Sequence, residues 1–226
     1  MAPMRMIAAL LAVISLNCAA APYIVRLGIE RIVLDAPPGF ADTTELASPR
    51  LQSLSSVLTP ASNRILLFAL TDADLRNFET GERIEAERYM LAVTPKNLEA
   101  TRVTREQFAG LVSTSLRNLG TQVDPQPDLI KFLENQPIGK ANLLAELKKE
   151  QDAFSVLQAT RLPPVPGAKF YNSSTPQYLV FTTTLVLVRG RAVQLAAYSL
   201  YRDPSDIEWL KEISQRWQEE IQRLNR

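Results

Sequence analysis

The stretch QYLVFTTTLVLVRGRAVQLAAYSLYRDPSDIEWL, residues 177–210, decides how this chain is read. Gln177–Arg189 and Ala192–Tyr201 are long runs rich in Val, Leu, Thr and Tyr. Branched and aromatic side chains of this kind fit a pleated, half-buried surface. Between the runs, Gly190-Arg191 has the form of a two-residue turn with Gly at its first central position, which predicts a type II′ hairpin. Both faces of the first strand are apolar, with Leu179, Phe181 and Leu185 on one and Val180, Val186 and Val188 on the other. Such a strand belongs inside a sheet covered on both sides, so the hairpin is expected near the sheet's centre.

A helix is expected directly after it, from Asp203-Pro204 to about Leu224. Asp203 suits the cap, Pro204 the first turn, and Asp206 the positive end of the helix. Ile207, Leu210, Trp217, Ile221 and Leu224 recur at three- and four-residue steps, with Ser214 in the remaining slot. The short connection leaves little reach, so this stripe should lie against the hairpin's own sheet. Tyr198 and Leu200, or Ser199 and Tyr201 in the other register, would face it.

Upstream, residues 28–36 (GIERIVLDA) read as a strand stopped by Pro37-Pro38-Gly39. Ser48-Pro49 opens a helix that places Leu51, Leu54, Val57 and Leu58 on one face. Residues 63–70 and 87–94 are apolar runs of strand length, separated by a polar segment containing Gly81. Thr104 and Gln107 form a capping box, Val103 and Phe108 a hydrophobic staple, and Gly120 a helix stop. Between them Phe108, Leu111, Val112, Leu116 and Leu119 make one stripe. Pro125, Pro127 and Pro137 break up residues 121–152, where short helices around 127–134 and 140–150 are expected. Phe154–Arg161 reads as a further strand. Helices and strands mix without βαβα alternation. The expected class is therefore α+β: a single antiparallel β-sheet with helices on its faces, an α/β/α sandwich. It should form one domain over residues 29–226, after a short segment at 21–28.

The N-terminus, MAPMRMIAALLAVISLNCAAAPY, places Arg5 before an apolar run from Met6 to Leu16 and small residues after it. That is the pattern of a secretory signal peptide. The run is well short of the roughly 20 residues that span a bilayer. Cleavage is expected between Ala20 and Ala21, giving a periplasmic or secreted protein. Lipidation through Cys18 is the rival, but Ser15, Leu16 and Asn17 fit a lipidation motif poorly. Removal of residues 1–20 leaves 24 basic against 24 acidic residues and no Cys. The balance argues against nucleic acid or an anionic surface as partner.

Taken in order, a strand, a Pro-Pro-Gly-Phe turn at 37–40, two further strands before a capped helix, and a long hairpin lead through Tyr198-Ser199-Leu200-Tyr201 into the terminal helix. This order resembles the PsbP-like sandwich, shared by extrinsic photosystem subunits, a eukaryotic Ran-release factor and bacterial envelope proteins of the DcrB type. The resemblance covers roughly residues 29–224. It implies a sandwich fold and a non-enzymatic accessory or partner-binding role, and it carries no functional residue onto this chain.

The residue inventory narrows the chemistry. The chain has no His, and its one Cys is Cys18. Ser-His-Asp and thiol nucleophiles are thereby excluded from the mature chain, as are the usual zinc, copper and haem ligand sets. Neither a Ser-x-x-Lys pair, a GxGxxG run nor a Walker A loop occurs. Asp72 and Asp74 have the first spacing of a calcium loop, but Arg76 and Arg83 occupy later ligand positions, so a solvated turn is expected. Glu82, Glu85 and Glu87, beside Arg83 and Arg88, read as a mixed-charge loop rather than an acid/base pair. No catalytic, cofactor-binding or metal-binding residue is therefore assigned. Candidate contacts for a partner or ligand are Phe170 and Tyr171, beside the proline-rich loop, and Trp209, at the edge of the terminal stripe. The expected function is that of an exported, non-enzymatic envelope protein that binds an unknown protein partner. The alternative is a module binding a small apolar or amphipathic ligand between the sheet and residues 121–152.

Overall fold

The hairpin is the middle of the molecule. In the computed structural model, which describes residues 22–124, 128–163 and 176–226, its strands fall at Tyr178–Val188 and Arg191–Leu200. The strands in chain order are β1 (Tyr23–Leu27), β2 (Glu30–Leu34), β3 (Phe40–Asp42), β4 (Asn63–Thr71), β5 (Arg88–Pro95), β6 (Asn142–Lys149), β7 (Ala153–Arg161), and the hairpin pair β8 and β9. The helices are α1 (Pro49–Val57), α2 (Asp72–Glu79), α3 (Arg105–Leu119), α4 (Leu129–Glu134) and α5 (Pro204–Leu224). Seven strands form one antiparallel sheet in the order β3-β4-β5-β9-β8-β7-β6, and β1 and β2 form a separate two-stranded sheet. Ala20, Ala21, Cys18, Phe170 and Tyr171 lie outside the described residues.

The expectation of a single sheet is corrected by Gly28. The strand read at residues 28–36 is β2, but it pairs with the unforeseen β1: Gly28 adopts φ +58° and turns the chain, so that Leu27 pairs with Glu30. A φ in that range costs glycine little and other residues more. The resulting β1–β2 hairpin lies on a face of the main sheet, where Val25, Leu27, Ile32 and Leu34 are buried in the main core. Its outer edge is closed by Asn225, whose side-chain amide accepts from the Val33 N–H and donates to the Val33 carbonyl. A side-chain amide thus substitutes for a missing strand.

The hairpin turn also differs from expectation. Val188 pairs with Arg191, so the central residues are Arg189 and Gly190, at φ +48° and +73°. Two consecutive positive values define type I′, whose twist suits long strands as well as type II′ does.

α5 docks on the hairpin, burying Leu210, Ile213, Trp217 and Ile221. Its surface on β8 is the Val180, Val186 and Val188 face, and on β9 it is the face of Val193, Leu195 and Ala197. Ser199 therefore faces the helix and accommodates Asp206, while Tyr198 projects to the opposite side. Ser214 fills its slot in the stripe by bonding the Thr182 hydroxyl.

On the other face α1 covers β4 and β5, burying Leu51 against Phe68 and Leu91. α3 covers the β7–β8 side through Phe108 and Val112 against Phe154 and Val156. The Ser48 cap, with Pro49 at the start of α1, and the Thr104–Gln107 capping box are as read from the sequence. Val57, expected on the buried face of α1, is 83% exposed. The buried face of α1 runs through Leu51, Leu54, Ser55 and Leu58, and Val57 lies off it.

Two further expectations fail. Residues 140–150 are not helical but form β6, because β7 would otherwise present an unpaired edge of donors and acceptors. β6 meets that edge irregularly, with register shifts after Leu143 and Glu146. The polar segment after β4 contains α2, capped by the Thr71 hydroxyl. Asp74 is accordingly no solvated turn residue. It is buried, accepts from the Thr71 hydroxyl and from the Glu85 and Ala86 N–H groups, and holds the returning loop.

Candidate functional site

Because α1 and α3 cover opposite ends of the same sheet face, the strands between them are left uncovered. Three cross-strand rows run beneath this trough, and every member but Tyr89 lines it. They are Val93–Gln194–Leu185–Phe154, Leu91–Ala196–Thr183–Val156 and Tyr89–Tyr198–Phe181–Gln158. Their alternation follows from the period of two along a strand, which sends Val180, Val186 and Val188 to α5 and their neighbours to the trough. Leu58, Thr59 and Asn63 form the wall at the end of α1; Ser115, Asn118 and Leu119 form the α3 wall. The trough is open to solvent and holds about 380 Å³.

The third row is an aromatic ladder. The Phe181 and Tyr198 rings stack at 5.4 Å, the Tyr198 and Tyr89 rings at 4.5 Å, and Phe68 meets Tyr89 edge-on at 6.4 Å. Burial pushes the Tyr198 phenol up to about 12, so it stays protonated through the physiological range. Thr183 donates to the Gln158 side-chain oxygen on the floor. The Thr59 hydroxyl is buried and finds no hydrogen-bond partner among the described residues. No Asp, Glu, Lys or Arg stands among the described residues that line the trough.

A second, polar cleft of about 330 Å³ lies at the start of α5, between Asp74, Glu87, Arg88, Arg202 and Asp206. Its charges are committed to one another. Arg88 Nη2 reaches Asp206 Oδ1 at 2.8 Å, Ser199 Oγ donates to the same oxygen, and the Arg202 N–H donates to Oδ2. Arg202 also pairs with Glu87. Burial pushes the Asp206 carboxyl up, but these hydrogen bonds outweigh it and hold the group below the ordinary value.

Trp209, a candidate contact residue, borders this second cluster. Its ring stacks on Phe40 at 6.0 Å and carries the Arg88 guanidinium 4.2 Å from its centroid. Both arrangements are packing contacts that brace α5 against β3 and β5. Of the acids weighed in the sequence, Glu87 is ion-paired, and Glu85 lines the polar cleft with its N–H bonded to Asp74. The trough residues were missed in the sequence. Their signal was Gln158, Thr183 and Gln194 interrupting otherwise apolar strands.

No helix among the described residues is long and apolar enough to cross a membrane. No cluster of three or more His, Cys, Asp or Glu that could hold a metal ion occurs among them.

No family model matches the chain, and no curated protein matches it. Solved structures similar to it include two of Mog1. The Saccharomyces cerevisiae Ran-binding protein Mog1p is 14% identical, with a TM-score of 0.39 over 91% of this chain and 95% of that one. A mutant of protein Mog1 is 14% identical, with a TM-score of 0.39 over 90% of this chain and 94% of the other.

Proposed function

We propose that this protein is an exported, non-enzymatic binding protein of the cell envelope, periplasmic or secreted, built as a PsbP-like sandwich and working through the trough. One observation carries the reading: an apolar-floored cavity of about 380 Å³ opens on the sheet face between α1 and α3. That volume falls within the roughly 300–1,000 Å³ of small-molecule sites, which typically combine an apolar lining with a few polar groups. The small apolar or amphipathic ligand is thus the first reading. In this reading the ligand lies on the sheet face between α1 and α3, where Ala141 of the 121–152 segment also lines the trough.

The second reading is a protein partner, for which the same apolar-floored trough would be the docking surface.

Native mass spectrometry on protein purified from its own host separates the two. A co-purifying small mass, lost on Leu185→Glu substitution in the floor, supports the ligand reading. Capture from envelope fractions of one partner that Leu185→Glu no longer retains supports the protein reading. If neither is found, the trough is not a binding site.

A further inference from the structure

Resting on the reading of the trough as the binding site, we propose that its occupant is an uncharged amphipath: a single apolar chain carrying a neutral, hydroxyl- or amide-rich head. The argument starts from what the lining lacks. Charged residues make up 22% of the chain, yet no Asp, Glu, Lys or Arg is found among the described residues around this space. An ionised head drawn down against the floor would lose part of its hydration and gain no counter-charge, a loss that pairing normally has to offset. The ionisable group that does face the space, the Tyr198 phenol, remains neutral.

The lining also contains the groups a neutral head needs. Asn63, Ser115 and Asn118 stand on the walls, offering a hydroxyl and amides that both donate and accept. Leu91, Val93, Val156 and Leu185 supply the floor for a chain. Ala196, small and in the middle row, gives the depression its depth. An apolar floor between neutral polar walls matches a molecule with the same division of character.

The test uses the mature chain and three probes sharing a ten-carbon chain: 1-decanoylglycerol, decanoate and decyltrimethylammonium, each below its micelle-forming concentration. Binding is followed by titration with backbone amide NMR, which also locates each probe. The neutral probe is expected to perturb β5, β8 and β9 amides and to bind at least roughly tenfold more tightly than either ion. Gln194→Lys, at a half-buried floor position, should raise decanoate affinity and lower that of the cation. Asn118→Lys, on the exposed end of α3, offers the same reversal if the first variant folds poorly. Ions binding in the trough as tightly as the neutral probe would overturn the charge selectivity while leaving the trough as a site. If no probe shifts trough amides, both the selectivity and the underlying reading fall. Neutral preference that neither Lys variant alters would place the selectivity elsewhere and also overturn the proposal.

Discussion

Trp217→Ala is the sharpest probe of how the sandwich is held together. Trp217 is 2% exposed, sits in the main core between α5 and the sheet, and donates its indole N–H to the Asp35 carbonyl at 2.7 Å. The ring therefore joins three parts of the molecule: the terminal helix, the central strands and the exit of the β1–β2 hairpin. Burying an aromatic ring of this size removes about 150–250 Å² from water, and truncations of buried Trp or Phe cost roughly 3–5 kcal/mol. That is a large share of a typical domain's total of about 5–15 kcal/mol. For a chain of this length it should lower the melting temperature by roughly 6–20 °C. Trp217→Phe keeps most of the volume and loses the hydrogen bond, leaving the Asp35 carbonyl short of a donor, so it should cost about 1–3 kcal/mol.

Urea unfolding followed by far-ultraviolet circular dichroism suits this series, since the substitution removes a fluorophore but not the helical signal. Midpoints should fall in the order wild type, Trp217→Phe, Trp217→Ala, with an unchanged slope against denaturant. A Trp217→Ala protein within about 1 kcal/mol of wild type would refute the reasoning, because no buried ring of this size can be lost so cheaply.

Four further outcomes follow from particular residues. Truncation before Asp203 should give an insoluble or molten product, seen as lost near-ultraviolet dichroism, since it strips the cover from the Val180, Val186 and Val188 face; a cooperative, near-native transition would contradict this. Asp206 has a folded-state pKa below the ordinary 3.8, so its carboxylate contributes stability above that value and loses it as pH falls towards the folded pKa. The stability gap between wild type and Asp206→Asn, read from urea midpoints, should therefore narrow below about pH 4, and a gap constant down to pH 3 would argue against the Arg88–Asp206 arrangement. Gly190→Ala should destabilise by about 1–2 kcal/mol, because φ is +73° there and a Cβ would stand 3.1 Å from Arg102 Cγ. Gly110→Ala, inside α3 with open space around the added carbon, should instead stabilise by about 0.5–1 kcal/mol; a thermal melt of either variant shifting against its expected direction would refute that assignment.

The legible parts of the fold were those with local punctuation. Thr104 with Gln107, Ser48 with Pro49, and Asp203 with Pro204 mark helix starts through side-chain-to-backbone hydrogen bonds that form within four residues. α2 carried the same mark, with Thr71 three residues before Asp74, but the two acids drew attention as calcium ligands rather than as a cap. Residues 140–150 show the opposite case. Their Leu, Ala, Glu and Lys content favours a helix locally, and the open edge of β7 overrode it.

The candidate site was nearly invisible in the sequence because it is defined by what does not cover it. Thr59 and Asn63 come from one connection, Asn118 from the end of α3, and Tyr198, Phe181 and Gln158 from three strands. Nothing in any one segment marks it as part of a trough, and the absence of charge becomes meaningful only once those segments are neighbours.

The chain alone determined the elements whose hydrogen bonds and apolar period close over short spans: the capped helices, the long hairpin, and a terminal helix bound to follow it onto the same sheet. Tertiary structure decided which face each residue served. A one-residue change of register exchanges the two faces of a strand. Packing therefore had to settle that Ser199 meets α5 while Tyr198 turns to the trough. It likewise decided that Asn225 closes the β1–β2 edge 192 residues away in sequence. Such contacts depend on the arrangement of whole layers, and the free energy that selects them is shared among residues far apart along the chain.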